Sequence, residues 1–143
     1  MTMPKHATTD SDIAKCFPVM LELRPHLEEA SFVNLVRQIE KQGFKLAYIE
    51  ANGNVVAVAG YRIVTNLFMG KNLYVDDLIT SENTRSQGYG ESMLSWLRSL
   101  ALENGCNYLH LDSGTHREQA HKFYFRQGLT ISSFHFSEKL KSD

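Results

Sequence analysis

The sequence predicts an α+β fold, with a mainly antiparallel, twisted sheet and helices on both of its faces. Residues 44–64 alternate apolar with other side chains around Asn52-Gly53, a dipeptide that favours a tight hairpin turn. Further along, an apolar strand at 73–80, a helical pattern and a short strand at 108–111 follow one another. A strand, a helix and a second strand in this order indicate a parallel crossover.

The other elements follow from their own patterns. Apolar residues recur at helical spacing after a cap at Asp10 or Ser11, and Pro18 predicts a break in that helix. Pro25 is predicted to start a second helical region. The full expected order is two helical regions, strands at 44–50, 55–64 and 73–80, a helix ending near Asn104-Gly105, a strand at 108–111, a helix at 117–127 and a final strand at 130–139.

Size, charge and cysteine content restrict the class of protein. The 143 residues suffice for one domain, which we expect to span 1–143. With 15 Lys and Arg against 16 Asp and Glu, the formal net charge is −1, and nucleic acid is not an expected partner. Cys16 and Cys106 form no disulfide or C-x-x-C pattern, and apolar runs are short. We therefore expect a cytoplasmic protein outside the membrane.

The segment between the strand at 73–80 and the next helix is a candidate phosphate site. Glycines let backbone N–H groups approach an anion, and the start of a helix adds the positive end of its dipole. Neither the dinucleotide fingerprint nor the P-loop pattern is present. The amides of residues 86–90 and the side chain of the preceding arginine would hold the anion. The segment reads Arg85-Ser86-Gln87-Gly88-Tyr89-Gly90.

Two motifs together resemble one family. The pattern R-x-x-G-x-G from Arg85 to Gly90 resembles the acetyl-CoA pyrophosphate loop of the GNAT superfamily of N-acetyltransferases. Residues 120–129, AHKFYFRQGL, are similar to the A-x-x-F-Y-x-x-x-G-F helix and turn of the same superfamily. The run at 133–140 is also similar to the ends of small bacterial members, including those that acetylate aminoalkylphosphonates.

The resemblance implies how the cofactor would lie. In this superfamily the two strands that flank the loop's helix splay apart as a parallel pair, and the pantetheine arm of acetyl-CoA lies between them. Leu78, Ile79 and Thr80 would pair with it through their backbone, and the Leu78 amide would face the thioester carbonyl. Arg117 replaces an asparagine common in the family and could contact the cofactor phosphates or simply be solvated. The family usually begins with a strand, for which residues 4–9 are a poor match.

The resemblance also suggests an acid, whereas the base stays open. Tyr124 corresponds to the tyrosine that protonates the departing thiolate in many members, and the alternative is a tyrosine that is simply packed on the sheet. A glutamate found in some members is Tyr74 here. Asp76 and Asp77 follow, and strand alternation predicts that they face opposite sides of the sheet. Either acid could accept the proton of an ammonium group, directly or through water, or could instead form a salt bridge or cap a helix.

The expected reaction is direct attack by a primary amine of a small molecule on acetyl-CoA in a ternary complex, without a metal. Two alternatives stay open: a non-catalytic, acyl-CoA-binding regulatory module, and acetylation of protein N-termini or lysines. A nucleotide-binding fold is a third. The last strand could support a homodimer. The histidines show no zinc spacing, and their roles stay open for His110, His116, His121 and His135.

Overall fold

A computed structural model describes residues 3–142 of the chain. It divides the chain into two compact units, Met1–Leu111 and Asp112–Asp143. The expectation of one domain over 1–143 stays a prediction. No helix in the described range is long and apolar enough to cross a membrane.

Among its described residues, 3–111, the first unit has a five-stranded sheet and four α-helices. The strands lie in the order β1-β2-β3-β4-β5, and every neighbouring pair is antiparallel except β4 and β5, which are parallel. The predicted hairpin and crossover are thereby confirmed. The elements are β1 Lys5–His6, α1 Asp10–Lys15, α2 Phe17–Leu23, α3 Glu29–Glu40, β2 Lys45–Ala51, β3 Asn54–Asn66, β4 Gly70–Thr80, a 3-10 turn Glu82–Thr84, α4 Tyr89–Glu103 and β5 Tyr108–Leu111.

Helices cover both faces of this sheet. α1, α2 and α3 pack on one face, where Val58 of β3 is part of a single buried cluster. Tyr61 lies an odd number of positions after Val58 on β3, so its side chain points to the other face. It contacts Trp96 of α4 with ring centroids 6.5 Å apart, which places α4 on that face. The buried side chains of α4 are Met93, Leu94, Leu97 and Ala101.

The N-terminal region differs from the prediction in three details. Lys5 and His6 pair with β2, so the strand for which residues 4–9 looked unsuitable does form; two residues are too few to leave a pattern. Thr9, not Asp10 or Ser11, caps α1 by accepting from an amide 3.0 Å away. The predicted break is confirmed and lies at Cys16, and α3 begins at Glu29, later than Pro25, because Pro25 begins a turn before the helix.

In the described part of the second unit, residues 112–142, there is one helix, α5 Glu118–Arg126, close to the predicted 117–127. The strand predicted at 130–139 is wrong: among residues 3–142, none after Leu111 is in a strand. Alternating aromatic residues define which side of a strand would be buried, but a ladder also needs a partner strand. Phe134 and Phe136 are exposed.

Gly60 of β3 lies where no side chain fits. A Cβ atom there would come within 2.4 Å of the Phe44 ring and 2.7 Å of Asp77 Oδ2. Because Phe44 is buried, its ring cannot swing aside freely. We expect Gly60→Ala to lower the free energy of unfolding by about 1–3 kcal/mol, measured by urea denaturation. In a Phe44→Leu background the same substitution should cost less, and an equal cost in both backgrounds would contradict this explanation.

Candidate active site

A β-bulge in β4 brings two carboxylates to one side of the sheet. Gly60 pairs with Asp77 and Tyr61 with Val75, so that Asp76 is an extra residue without a partner of its own on β3. Both aspartates line the same cavity. The prediction that they face opposite sides is therefore wrong, because strict alternation holds only for a regular strand.

Each aspartate is held by an arginine from a different element. Arg62 of β3 donates from Nε and Nη2 to the two oxygens of Asp76, at 2.9 and 2.8 Å. Arg24, at the C-terminal end of α2, donates from Nε to Asp77 Oδ1 at 2.9 Å and from Nη2 to the backbone carbonyl of Asp76 at 2.8 Å. Arg24 therefore holds the bulge both at the backbone carbonyl of Asp76 and at the carboxylate of Asp77.

The two carboxylates differ in their electrostatic surroundings. Burial raises the pKa of Asp77, and the charge and hydrogen bond of Arg24 offset this effect only in part. Asp76 has both oxygens engaged by one guanidinium, whereas Asp77 receives Arg24 at one oxygen. Asp77 therefore keeps one carboxylate oxygen outside its bond to Arg24.

The cavity beside the bulge has a volume of about 310 Å³. This is at the lower end of the range for pockets that bind small molecules. The two aspartates of the cavity were predicted from the sequence and the two arginines were not, although two adjacent acids in a central strand require nearby cations. The lining residues are Arg24, Ile39, Gln42, Phe44, Arg62, Asp76 and Asp77.

Beyond the bulge, β4 continues past the end of its pairing with β5. The pairing of β4 with β5 runs from Asn72 to Val75, whereas β4 continues to Thr80. Ser81 donates its amide to the Val56 carbonyl of β3 at 2.8 Å. Because bonded pairs alternate in an antiparallel ladder, the amides of Leu78 and Thr80 point away from β3, towards the side of β5. Ile79 is the residue between them that bonds to β3.

The glycine loop has the geometry of an uncapped helix start. Ser86 and Gly88 have φ angles of 69° and 86°, and Gly88 is the N-cap of α4 without a side-chain hydrogen bond. The first bond of the helix runs from the Ser92 amide to the Gly88 carbonyl at 3.0 Å. The amides before Ser92 therefore have no acceptor within the helix. Gly90 lies in the first turn, Tyr89 precedes it, and Arg85 and Gln87 are exposed in the loop.

In the second unit, Tyr124 lies on α5. Burial raises the pKa of its hydroxyl group, while the charge and hydrogen bond of Arg117 counteract this in part. A hydroxyl with a raised pKa keeps its proton at neutral pH, as a general acid must. Its ring meets that of Phe123 edge to face, with centroids 5.4 Å apart. Both the acid role and the packing role therefore stay compatible with its surroundings.

The histidines make separate local contacts. His110 of β5 hydrogen-bonds through Nε2 to Oδ1 of the buried Asn72 at 2.8 Å, and its ring contacts Tyr74. His121 contacts the Gly114 carbonyl at 2.8 Å. His135 is 3.6 Å from Asp112. Each ring is thus explained by its own neighbours, and His116 lies beside Gly114.

Comparison with known proteins decides the family. The model of the acetyltransferase (GNAT) family matches residues 9–129. The chain belongs to the GNAT family. It is 30% identical over 134 residues to an uncharacterized N-acetyltransferase of Bacillus subtilis, covering 92% of this chain and 94% of the relative. The chain is an acetyl-CoA-dependent acetyltransferase, as the two sequence motifs predicted.

Two N-acetyltransferases are similar to nearly the whole chain. The aminoalkylphosphonate N-acetyltransferase of Salmonella typhimurium is 25% identical over 149 residues, covering 95% of this chain and 90% of that protein. The solved structure of an aminoglycoside N-acetyltransferase in complex with CoA has a TM-score of 0.81 at 11% identity, covering 99% of this chain and 97% of that one. At that identity the likeness concerns the fold alone, and it confirms the predicted α+β class.

Proposed function

We propose that this GNAT protein transfers the acetyl group of acetyl-CoA to the primary amine of a small molecule by direct attack in a ternary complex. The observation that carries the proposal is the bulge in β4. It directs Asp76 and Asp77 into a cavity of about 310 Å³, one residue before the amide of Leu78 on the open strand edge. A proton acceptor and an oxyanion donor thus occupy neighbouring positions on one strand.

The cofactor would be held mainly by backbone groups. The amides of Ser86 to Gly90, at and just before the start of α4, would donate to the pyrophosphate, and Arg85 would add a positive charge beside them. The outward amides of Leu78 and Thr80 suit the pantetheine arm, with Ile79 between them fixing the strand. Arg117 is a further candidate for the cofactor phosphates.

Asp77 is the proposed base and Tyr124 the proposed acid. The amine nitrogen, after losing a proton to Asp77 directly or through water, attacks the thioester carbonyl carbon with its lone pair. The Leu78 amide stabilises the oxyanion that forms. The carbon–sulfur bond then breaks, and the sulfur of CoA takes a proton for which Tyr124 is the proposed donor. The nitrogen loses its second proton, directly or through water, to the tyrosinate, which restores Tyr124. Asp76, held at both oxygens by Arg62, would attract the substrate's ammonium group.

The proposal is tested by release of free thiol from acetyl-CoA in the presence of candidate acceptors. The panel contains polyamines, aminoglycosides, aminoalkylphosphonates, amino acids and peptides. We expect turnover with at least one small amine and little with peptides, because the cavity suits a small ligand. A protein that binds acetyl-CoA but acetylates none of these compounds would instead be an acyl-CoA-binding regulatory module.

The phosphate site gives a separate prediction. Arg85→Gln should raise the Kd for CoA about 10-fold, since it removes one charge-assisted hydrogen bond to the pyrophosphate. Isothermal titration measures the affinity. Lys71→Gln, a charge loss at an exposed residue near the start of β4, is the matched control and should leave the Kd unchanged. Equal affinities of wild type and Arg85→Gln would remove Arg85 from the site.

A further inference from the structure

We propose that the cavity beside the bulge binds an acceptor with an acidic group as well as an amine, so that the substrate is a small zwitterion. The inference rests on the proposed function, because it assigns the acceptor for that reaction. The binding of the acidic group, however, depends only on Arg24 and Arg62, and it can be measured without turnover.

The charges in the cavity are arranged in two layers. Two guanidinium groups and two carboxylates line it, so their formal charges cancel. The side chains of Arg24 and Arg62 are 41% and 36% exposed, whereas those of Asp77 and Asp76 are 14% and 23% exposed. The cations therefore lie nearer to solvent, and the carboxylates lie deeper, beside the strand that carries Leu78.

Each guanidinium can bind an anion while it holds its aspartate. A guanidinium has five N–H donors in a planar fork. The bonds to Asp76 and Asp77 engage Nε and Nη2 of Arg24 and of Arg62. The Nη1 groups lie outside these bonds, so a carboxylate or phosphonate can accept from them without displacing either aspartate.

This arrangement disfavours other acceptors. A polyamine would place its second cation against the guanidinium groups, which costs electrostatic repulsion. An amine without an acidic group would leave the remaining N–H donors of the two guanidinium groups without a partner on the ligand. Ile39 and Phe44 provide an apolar wall for a short carbon chain between the two charged ends. An amine with a carboxylate or phosphonate a few bonds away satisfies all three parts of the cavity.

The test compares matched acceptors that differ only in the acidic group. We would use β-alanine with β-alaninamide, and 2-aminoethylphosphonate with its diethyl ester, correcting each rate for the pKa of its amine. We expect kcat/KM to be about 10- to 100-fold higher for each acid than for its neutral partner. Arg24→Gln should reduce this ratio towards one, whereas Lys71→Gln should preserve it. Because both members of a pair share the amine, the ratio separates anion binding from any effect of Arg24 on Asp77.

The outcomes separate this inference from the proposed function. If the amide and the ester react as well as the corresponding acids, the assignment of a zwitterionic substrate is wrong and the proposed acetyl transfer stands. If no amine is acetylated, but the two acids still raise the Tm of the CoA-bound protein and their neutral partners do not, the anion site stands and the proposed function fails. If the acids neither react nor raise the Tm, the inference is overturned.

Discussion

Asp77→Asn is expected to lower kcat by about 10²- to 10⁴-fold, the usual contribution of a general base, without loss of stability. Asparagine retains a carbonyl oxygen that can accept from Arg24, so the contact at 2.9 Å need not be lost. It cannot take a proton from an amine. The thiol-release assay measures kcat, and thermal melting at neutral pH measures stability.

The direction of the stability effect follows from the pKa of Asp77. Burial raises that pKa above its ordinary value of 3.8, so the folded protein binds this proton more tightly than the unfolded chain does. The free energy of unfolding should therefore rise as pH falls through the folded pKa, and should fall as pH rises through the same interval. Above the folded-state pKa of Asp77, the buried carboxylate charge disfavours the fold, so Asp77→Asn should leave the Tm unchanged or raise it.

Asp10→Asn is the matched control for this prediction. Asp10 also pairs with an arginine, at 2.9 Å from Arg37, but its side chain is 76% exposed and belongs to α1. We expect this variant to keep the wild-type kcat. An Asp77→Asn protein with wild-type kcat would show that another group accepts the proton, and a marked fall in its Tm would contradict the unfavourable burial of the charge.

Tyr124→Phe is expected to lower kcat by about 10²-fold or more, with the Kd for acetyl-CoA unchanged. The substitution removes only the hydroxyl group, whose raised pKa keeps it protonated at neutral pH. Without this proton, CoA would have to leave as a thiolate. Steady-state thiol release gives kcat, and titration calorimetry gives the Kd.

Tyr108→Phe supplies the comparison for this variant. Tyr108 is a half-exposed tyrosine of β5 that has no proposed role, and we expect its loss to leave kcat unchanged. If Tyr124→Phe behaved in the same way, the residue would be a packed aromatic side chain and the acid would have to be sought elsewhere. A large increase in Kd would instead assign Tyr124 to cofactor binding.

Most of the fold could be predicted because its elements carry local signals. Asn52-Gly53 indicates a hairpin without reference to the rest of the chain, and it joins β2 to β3 in the structure. β1 could not be predicted, because two residues pairing with β2 have no periodicity of their own. The strand expected at 130–139 shows the opposite error, since alternation can occur where no partner strand is paired.

The candidate site was predictable where motifs describe it and hidden where packing creates it. The loop from Arg85 to Gly90 is a continuous pattern, and its backbone geometry depends on glycine at position 88, where φ is 86°. The cavity depends on contacts between residues 52 or 53 positions apart, which bring Arg24 to the bulge. No spacing rule reports such a contact, and the bulge itself reverses the expected direction of one aspartate.

The unpaired edge of β4 has a consequence for the protein before it meets its cofactor. An exposed row of N–H and C=O groups is a template onto which another extended chain can add. The amides of Leu78 and Thr80 point away from β3 beyond Val75, the last residue of β4 that pairs with β5, and the pantetheine arm would bond to them. Acetyl-CoA would then take the place of a neighbouring strand and protect this edge of the sheet from pairing with another chain. We expect hydrogen exchange at the Leu78 and Thr80 amides to slow when the cofactor binds.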